Sequence, residues 1–268
     1  MNAVPERRLS TRPHITLIVL AIIFSASVFG AYLVEKSMLD KLHGFTPIED
    51  AIKLIFVAVI LVTYKKRLKP LKSLTLRPAL AAFIPAVAFA VSYYYGPWEW
   101  AGIRPNVAFA LGVATTAVSE ELLFRYLSDK LFSERQLRTP ACFFFIVSVF
   151  AVSHFAGLLF RGMASTLLQV LLAFCIGTLY LAVYLKTRSW LLTAAAHFCL
   201  NYFSSFFTLN MHTEPLMEWN DAAVYVPDSL RIAAFVFAYA FSFIAGVCIY
   251  HKYMTATSAI ENNNLPCA

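Results

Sequence analysis

Six side chains in this sequence have the types and spacing that chemistry requires, and all six stand in otherwise apolar stretches: Glu120, Glu121, Arg125, His154, His197 and Asn201. The first three occur in Ser119-Glu120-Glu121-Leu122-Leu123-Phe124-Arg125, within a run made mostly of Ala, Leu, Val, Phe and Thr. A charge near the centre of a membrane-spanning helix costs at least ~2.5 kcal/mol, so each is a functional hypothesis by default. Glu121 and Arg125 are four apart with the acid on the N-terminal side, so on a helix they share a face and neutralise one another. Glu120 points about 100 degrees away and has no obvious partner in its own helix. A buried carboxylate lacking a counter-charge is a stronger base than one in water, which suits Glu120 to take a proton. The alternative reading of the two acids is an ion-pair network that tethers helices.

His154 closes the segment Phe150-Ala151-Val152-Ser153-His154, and Phe150 shares its helix face. A lone histidine on an apolar helix is more often a hydrogen-bonded core residue than a catalytic one. In His197-Phe198-Cys199-Leu200-Asn201 an imidazole and a carboxamide lie one turn apart on one face. His14, His43, His212 and His251 fall at segment ends or in loops. The chemistry such a set supports is amide hydrolysis by an activated water. Glu120, assisted by His154, takes a proton from water, and His197 and Asn201 donate hydrogen bonds to the developing oxyanion. Ser119 and Ser153 have no Ser, His and Asp arrangement around them, so a serine nucleophile is not indicated.

The elements that must position these groups follow from composition. With 60% hydrophobic and 14% charged residues in 268, the chain is too apolar for a water-soluble domain, where about a quarter charged is usual. Lipid offers no partners to backbone polar groups, so spanning segments are helices of roughly 20 mostly apolar residues. Eight candidates lie near residues 14–34, 49–64, 79–96, 105–128, 140–157, 164–185, 188–209 and 229–251. The expected fold is all-α: a polytopic membrane protein of about eight transmembrane helices, its active site within the bundle. One helical domain covers residues 14–251, between cytoplasmic tails at 1–13 and 252–268. Counted at 1.5 Å per residue from the cytoplasmic ends, Glu120 lies about 12 Å deep, His197 about 13 Å, and His154 and Asn201 about 20 Å, which permits one cluster.

Loops on the cytoplasmic side carry the Lys and Arg excess. One side of the eight-helix map receives Arg7, Arg8, Arg12, the run Lys65 to Arg77, Lys130, Arg135, Arg138, Lys186, Arg188 and Lys252. The other receives Lys36, Lys41, Arg104, Arg161 and Arg231, with Glu214, Glu218, Asp221 and Asp228 in its last loop. Both termini are therefore expected in the cytoplasm, and the net charge of +7 is an orientation signal rather than a nucleic-acid footprint. The run Lys65 to Lys72 can also attract anionic headgroups. Trp98, Trp100 and Tyr93 to Tyr95 fit an interfacial belt. The first segment exceeds the usual signal-peptide core and reads as a retained anchor despite the cleavage-like Ser25-Ala26-Ser27. An odd cysteine count of five, four of them in or beside apolar segments, argues against disulfides. Cys267 stands one place too late for a prenylation box, and Asn262-Asn263-Asn264 reads as part of an unstructured tail.

Taken in order, Glu120-Glu121-x-x-x-Arg125, Phe150-x-x-x-His154 and His197-x-x-x-Asn201 resemble the CPBP family of intramembrane proteases, which includes the CAAX prenyl endopeptidases and many bacterial relatives. The motif-bearing resemblance covers about residues 105–210. It implies a helical membrane fold with eight helices in the typical member, and endoproteolysis by glutamate- and histidine-activated water. By the resemblance, Glu120 and His154 activate water, His197 and Asn201 form the oxyanion site, and Glu121 and Arg125 fill the remaining motif positions. The family was also described as metal-binding, and Glu120, His154 and His197 are the zinc ligands that alternative implies. No His-Glu-x-x-His segment is present, and the cofactor-free mechanism is preferred.

The implied partners are the lipid bilayer and a membrane-embedded or membrane-anchored protein or peptide substrate. The compact length suggests a bacterial cell membrane, where prenylated proteins are not the expected target; nothing in the residues speaks to oligomeric state. Two rival readings keep the same helices. A non-catalytic or immunity-type membrane protein retains the fold without hydrolysis. A proton-coupled transporter uses buried Glu and His as a relay, but the paired Gly- or Pro-broken half-helices of such transporters are not evident.

Overall fold

The structure is a computed structural model that describes residues 12–36, 47–64, 76–94, 107–158, 162–209 and 228–263. Among these residues every regular element is helical. In chain order they are α1 (Pro13–Lys36), α2 (Pro47–Tyr64), α3 (Leu76–Tyr94) and α4 (Val107–Glu121), then a π-helical turn (Leu122–Tyr126) that leads into α5 (Leu127–Leu131). After α6 (Glu134–Leu137) come α7 (Pro140–Ser153), a 3-10 turn (His154–Gly157), α8 (Met163–Thr187), α9 (Trp190–Leu209) and α10 (Asp228–Asn263).

Each of the eight expected segments falls on a helix or helical run, and among the described residues four are long and apolar enough to cross a membrane: Pro13–Val34, Pro140–Gly157, Met163–Thr187 and Ala233–Thr255. The helices that fall short include those bearing Glu120, Glu121, His197 and Asn201, whereas His154 lies in the span Pro140–Gly157. α2 holds Glu49, Asp50 and Lys53, α4 ends on Glu120 and Glu121, and α9 contains His197 and Asn201. The last helix runs past residue 251, the expected end of the helical domain, and takes Asn262 and Asn263 into its final turn. Trp98, Trp100, Tyr95, the run Lys65 to Lys72 and the acidic loop residues Glu214, Glu218 and Asp221 lie outside the described residues.

Local sequence sets the turns between these rods. Ser133 caps α6 through the Gln136 backbone while the Gln136 side chain accepts from the Ser133 N–H, a reciprocal capping box. Thr139 caps α7, whose first residue, Pro140, needs no N–H partner. Arg188 adopts a left-handed conformation, φ 56°, and ends α8 so that α9 can start two residues later.

Arg188 then joins three parts of the chain, donating to Asp129 at the end of α5, to Glu134 of α6 and to the hydroxyl of Tyr253 near the end of α10. His14 at the start of α1 packs edge-on against Phe132 and Phe145, each at 4.9 Å between ring centroids. The start of α1, the α5–α7 connection, the α8–α9 turn and the end of α10 thus share one end of the bundle. These are stretches that carry much of the basic excess.

The core lies around α8. Phe124, Phe143, Phe150, Leu181 and Leu185 belong to one buried cluster, and Phe89, Leu179, Tyr180, Ala196 and Ala238 to another. Glycine permits the tightest crossing: a Cβ on Gly246 of α10 would lie 2.7 Å from the Leu179 nitrogen, so α8 and α10 touch backbone to backbone. Outside, Ile22, Ile55, Val62, Leu80, Leu111 and Ile244 are all more than half exposed, an apolar exterior suited to lipid rather than water.

Candidate active site

The α4 helix, the π turn, α7 and α9 bring the site together. Glu121, the last residue of α4, has no exposed surface, and its Oε2 lies 3.3 Å from Nε of Arg125, which is also fully enclosed. The expected four-residue pair is present, but it spans a π turn in which Leu127 bonds back five residues to the Leu122 carbonyl. Such wide turns concentrate at functional sites because they re-aim side chains at a cost in backbone geometry. From α9, His197 places Nδ1 3.0 Å from Oε1 of Glu121. Its Nε2 faces Glu120 at 3.7 Å. Glu120, unpartnered within its own helix, therefore looks toward an imidazole from another.

Phe150 links the second motif to the first. The Arg125 guanidinium carbon lies 4.2 Å above its ring centroid, a cation–π contact inside the bundle. His154 meets the same ring edge-on at 5.0 Å, and His197 at 6.3 Å. The Nδ1 of His154 is 3.0 Å from the Phe150 carbonyl oxygen, which can only accept, so Nδ1 carries the proton and Nε2 presents its lone pair in the neutral ring. His154 and His197 thus both meet one aromatic spacer edge-on. Asn201 follows His197 by one turn of α9 and is half-buried. The hydroxyls of Ser119 and Ser153 are each engaged by a carbonyl of their own helix, Thr116 and Phe150 respectively.

Several participants were missed in the sequence. Tyr180 of α8 lies against His197 with ring centroids 5.4 Å apart, and its hydroxyl is buried without a hydrogen-bond partner among the described residues. One turn earlier, Gly177 leaves room for Phe150: a Cβ there would stand 2.9 Å from Cδ1 of that ring. A lone glycine in the apolar run of α8 was the available signal for this close approach. Lys53 was also legible as a charge inside an apolar run, under the criterion applied to the other spans. It is buried, and its ammonium group donates to Glu49 of α2 at 2.5 Å and to the Thr116 hydroxyl of α4 at 2.7 Å.

As a metal centre the set fits poorly. Among the described residues no three His, Cys, Asp or Glu side chains converge to hold an ion.

Fold and site together define an all-helical integral membrane protein with a carboxylate and imidazole cluster inside its bundle. The family model for the type II CAAX prenyl endopeptidase Rce1-like proteins matches residues 102–203, the stretch holding all six polar residues, and so bears out the resemblance drawn from the motifs. This stretch is similar to CAAX-type proteases of membranes. No curated protein and no solved structure matches the chain.

Proposed function

We propose that this chain is an intramembrane endopeptidase that hydrolyses a peptide bond of a membrane-embedded or membrane-anchored protein, with water activated by Glu120 and His154. The observation that carries this reading is the inequality of two adjacent glutamates. Glu121 is closed off and held by Arg125 and His197, whereas Glu120 keeps 16% of its side-chain surface and stands 3.7 Å from the nearest imidazole nitrogen. That gap exceeds an ordinary N–H···O bond and suits a shared water or substrate atom.

In the reaction, a water oxygen attacks the carbonyl carbon while one of its protons passes to the Glu120 carboxylate. The Nε2 lone pair of His154 accepts the water's other hydrogen bond and fixes its direction. His197 and the Asn201 carboxamide donate to the oxyanion. For Nε2 of His197 to donate while Nδ1 donates to Glu121, the ring must carry both protons, and the two nearby carboxylates balance that charge. Collapse of the tetrahedral intermediate breaks the C–N bond, and the proton on Glu120 goes to the leaving amine. General-base help of this kind contributes about 10²- to 10⁴-fold, and one oxyanion donor about 10²- to 10³-fold.

Eight crossings with both termini in the cytoplasm complete the proposal, in a bacterial cell membrane. It is supported by the shared end of the bundle at which Arg12, Lys130, Arg138 and Arg188 gather. The proposed reaction needs no metal, so exhaustive chelation leaves activity intact in a sample without stoichiometric zinc; loss of activity restored by zinc would overturn that part. The decisive test compares membrane peptides by mass spectrometry in cells bearing wild type, Glu120→Gln or His154→Ala. Both variants insert normally and lose a cleavage product seen with wild type. A product retained by either variant would sink the assignment.

A further inference from the structure

The charged cluster on α2 has no part in the mechanism above, yet it is joined to the helix that carries Glu120. Lys53 does not reach toward the membrane surface, as a lysine near a helix end usually does. Its side chain is 6% exposed and points across to α4, where it donates to Thr116. The Thr115 hydroxyl lies 2.9 Å from Asp50 Oδ1, and Gly112 keeps α4 open beside that carboxylate, since a Cβ there would sit 3.3 Å from Asp50 Oδ2. Thr116 and Glu120 are four apart and share a helix face.

From Gly112 to Thr116 every residue of α4 is partly open; Ala117 and Ser119 turn inward while Val118 and Glu120 stay partly open, and Glu121 to Ser128 are all buried. The closed stretch runs to the Arg188 clasp at Asp129, 13 residues and about 20 Å from Thr116 along the helix. A row of carboxylate, ammonium and hydroxyl groups therefore runs from the N-terminal ends of α2 and α4 to Thr116, one helical turn short of Glu120 on the same face. Apolar packing seals the other approach.

We propose that the polar seam between α2 and α4, formed by Asp50, Lys53, Thr115 and Thr116, is the hydration path by which water reaches Glu120 from the end of the bundle opposite the Arg188 clasp. This rests on the endopeptidase reading, which requires water at Glu120 inside an apolar bundle. Lys53 keeps the seam hydrated by holding a charge there, and the carboxylates of Glu49 and Asp50 keep it near neutral overall.

The test needs no substrate, so it fails separately from the reading on which it rests. Single cysteines replace Thr115, Thr116, Leu111 or Leu123 in a background whose five native cysteines are serine. Each variant, reconstituted in vesicles, is exposed to a charged, membrane-impermeant methanethiosulfonate. Modification requires a thiolate in contact with water, so Thr115→Cys and Thr116→Cys react at least about tenfold faster than lipid-facing Leu111→Cys and core Leu123→Cys. Adding Lys53→Met slows both seam positions toward the lipid-facing rate. If Thr115→Cys and Thr116→Cys react no faster than Leu111→Cys, or if Lys53→Met leaves their rates unchanged, the seam is only a clamp between helices and the proposal falls. Thr115→Cys covers the case in which Thr116→Cys does not fold.

Discussion

Glu120 and Glu121 are neighbours in sequence, and the same conservative change should affect them in opposite ways. Replacing Glu121 by Gln removes a negative charge with almost no change of shape and leaves an amide that can still meet His197. What it strands is Arg125, whose guanidinium is 1% exposed and has no hydrogen-bond partner among the described residues. Breaking a buried ion pair from one side costs about 3–5 kcal/mol. The Phe150 ring at 4.2 Å still holds the cation, so the loss should fall near the lower end, about 3 kcal/mol. For a chain of this size that corresponds to a fall in midpoint temperature of roughly 6–12 °C. Glu120→Gln removes a partly open charge whose nearest partner is 3.7 Å away, so it should cost less than about 1 kcal/mol while abolishing cleavage. Unfolding in mixed detergent micelles, followed by circular dichroism, gives both numbers. The double variant Glu121→Gln/Arg125→Met should recover on the order of 2 kcal/mol relative to the sum of the single changes. Equal midpoints for the two Gln variants, or strict additivity in the double variant, would refute the division of roles.

The other expectations test the scaffold. Gly177→Ala puts a methyl 2.9 Å from a Phe150 ring that is itself enclosed, so it should cost about 1–3 kcal/mol and lower activity by displacing the aromatic spacer that both histidines contact. The same melting and cleavage assays decide it, and unchanged activity would mean that the spacer is not needed. Gly246→Ala meets the α8 backbone at 2.7 Å and cannot be absorbed by a rotamer change, so it should be the more damaging of the two in melting temperature. At the clasp, burial raises the Glu134 carboxyl, but Tyr253, Arg188 and Arg138 outweigh it and hold the group below its ordinary 4.5. A carboxyl depressed by folding stabilises above its unfolded value and loses that contribution as pH falls through the folded one. Wild type should therefore lose stability on acidification below about 4.5 more steeply than Glu134→Gln; parallel curves would remove Glu134 from the clasp.

The helical fold and the candidate site residues were legible because both rest on local physics. Apolar runs mark helices, and Glu120, Glu121, Arg125, His154, His197 and Asn201 stand out against such runs wherever they occur. The count of crossings was harder to read: the polar groups that flag α2 and α9 also lower their apolarity, and the π turn after Glu121 cuts α4 to 15 residues. The last helix extends beyond its apolar span because apolarity fades before the backbone stops being helical. What joins the site was less visible. Phe150 could be read as sharing a face with His154, but its contacts with Arg125 and His197 arise only when α7 meets the π turn and α9. A π turn has no reliable residue signature, so the wide bend after Glu121 could not be foreseen.

That bend bears on why the motif places two glutamates side by side. On a regular helix adjacent residues diverge by about 100 degrees, so two neighbouring carboxylates cannot both face one partner squarely. Here His197 contacts both, at 3.0 Å through one ring nitrogen and 3.7 Å through the other, because its two nitrogens lie on different edges of the ring. One edge is fixed by a carboxylate that Arg125 already neutralises, and the ring is thereby aimed so that its other edge faces the carboxylate left open. Moving either glutamate along the helix by one residue would keep the charge and lose the aim. Glu121→Ala combined with Leu122→Glu tests this. It retains two acids and one arginine, yet it should leave the His197 ring without its anchor and cleavage at the level of Glu120→Gln. Activity within about tenfold of wild type would show that charge alone, rather than orientation, is what the second glutamate supplies.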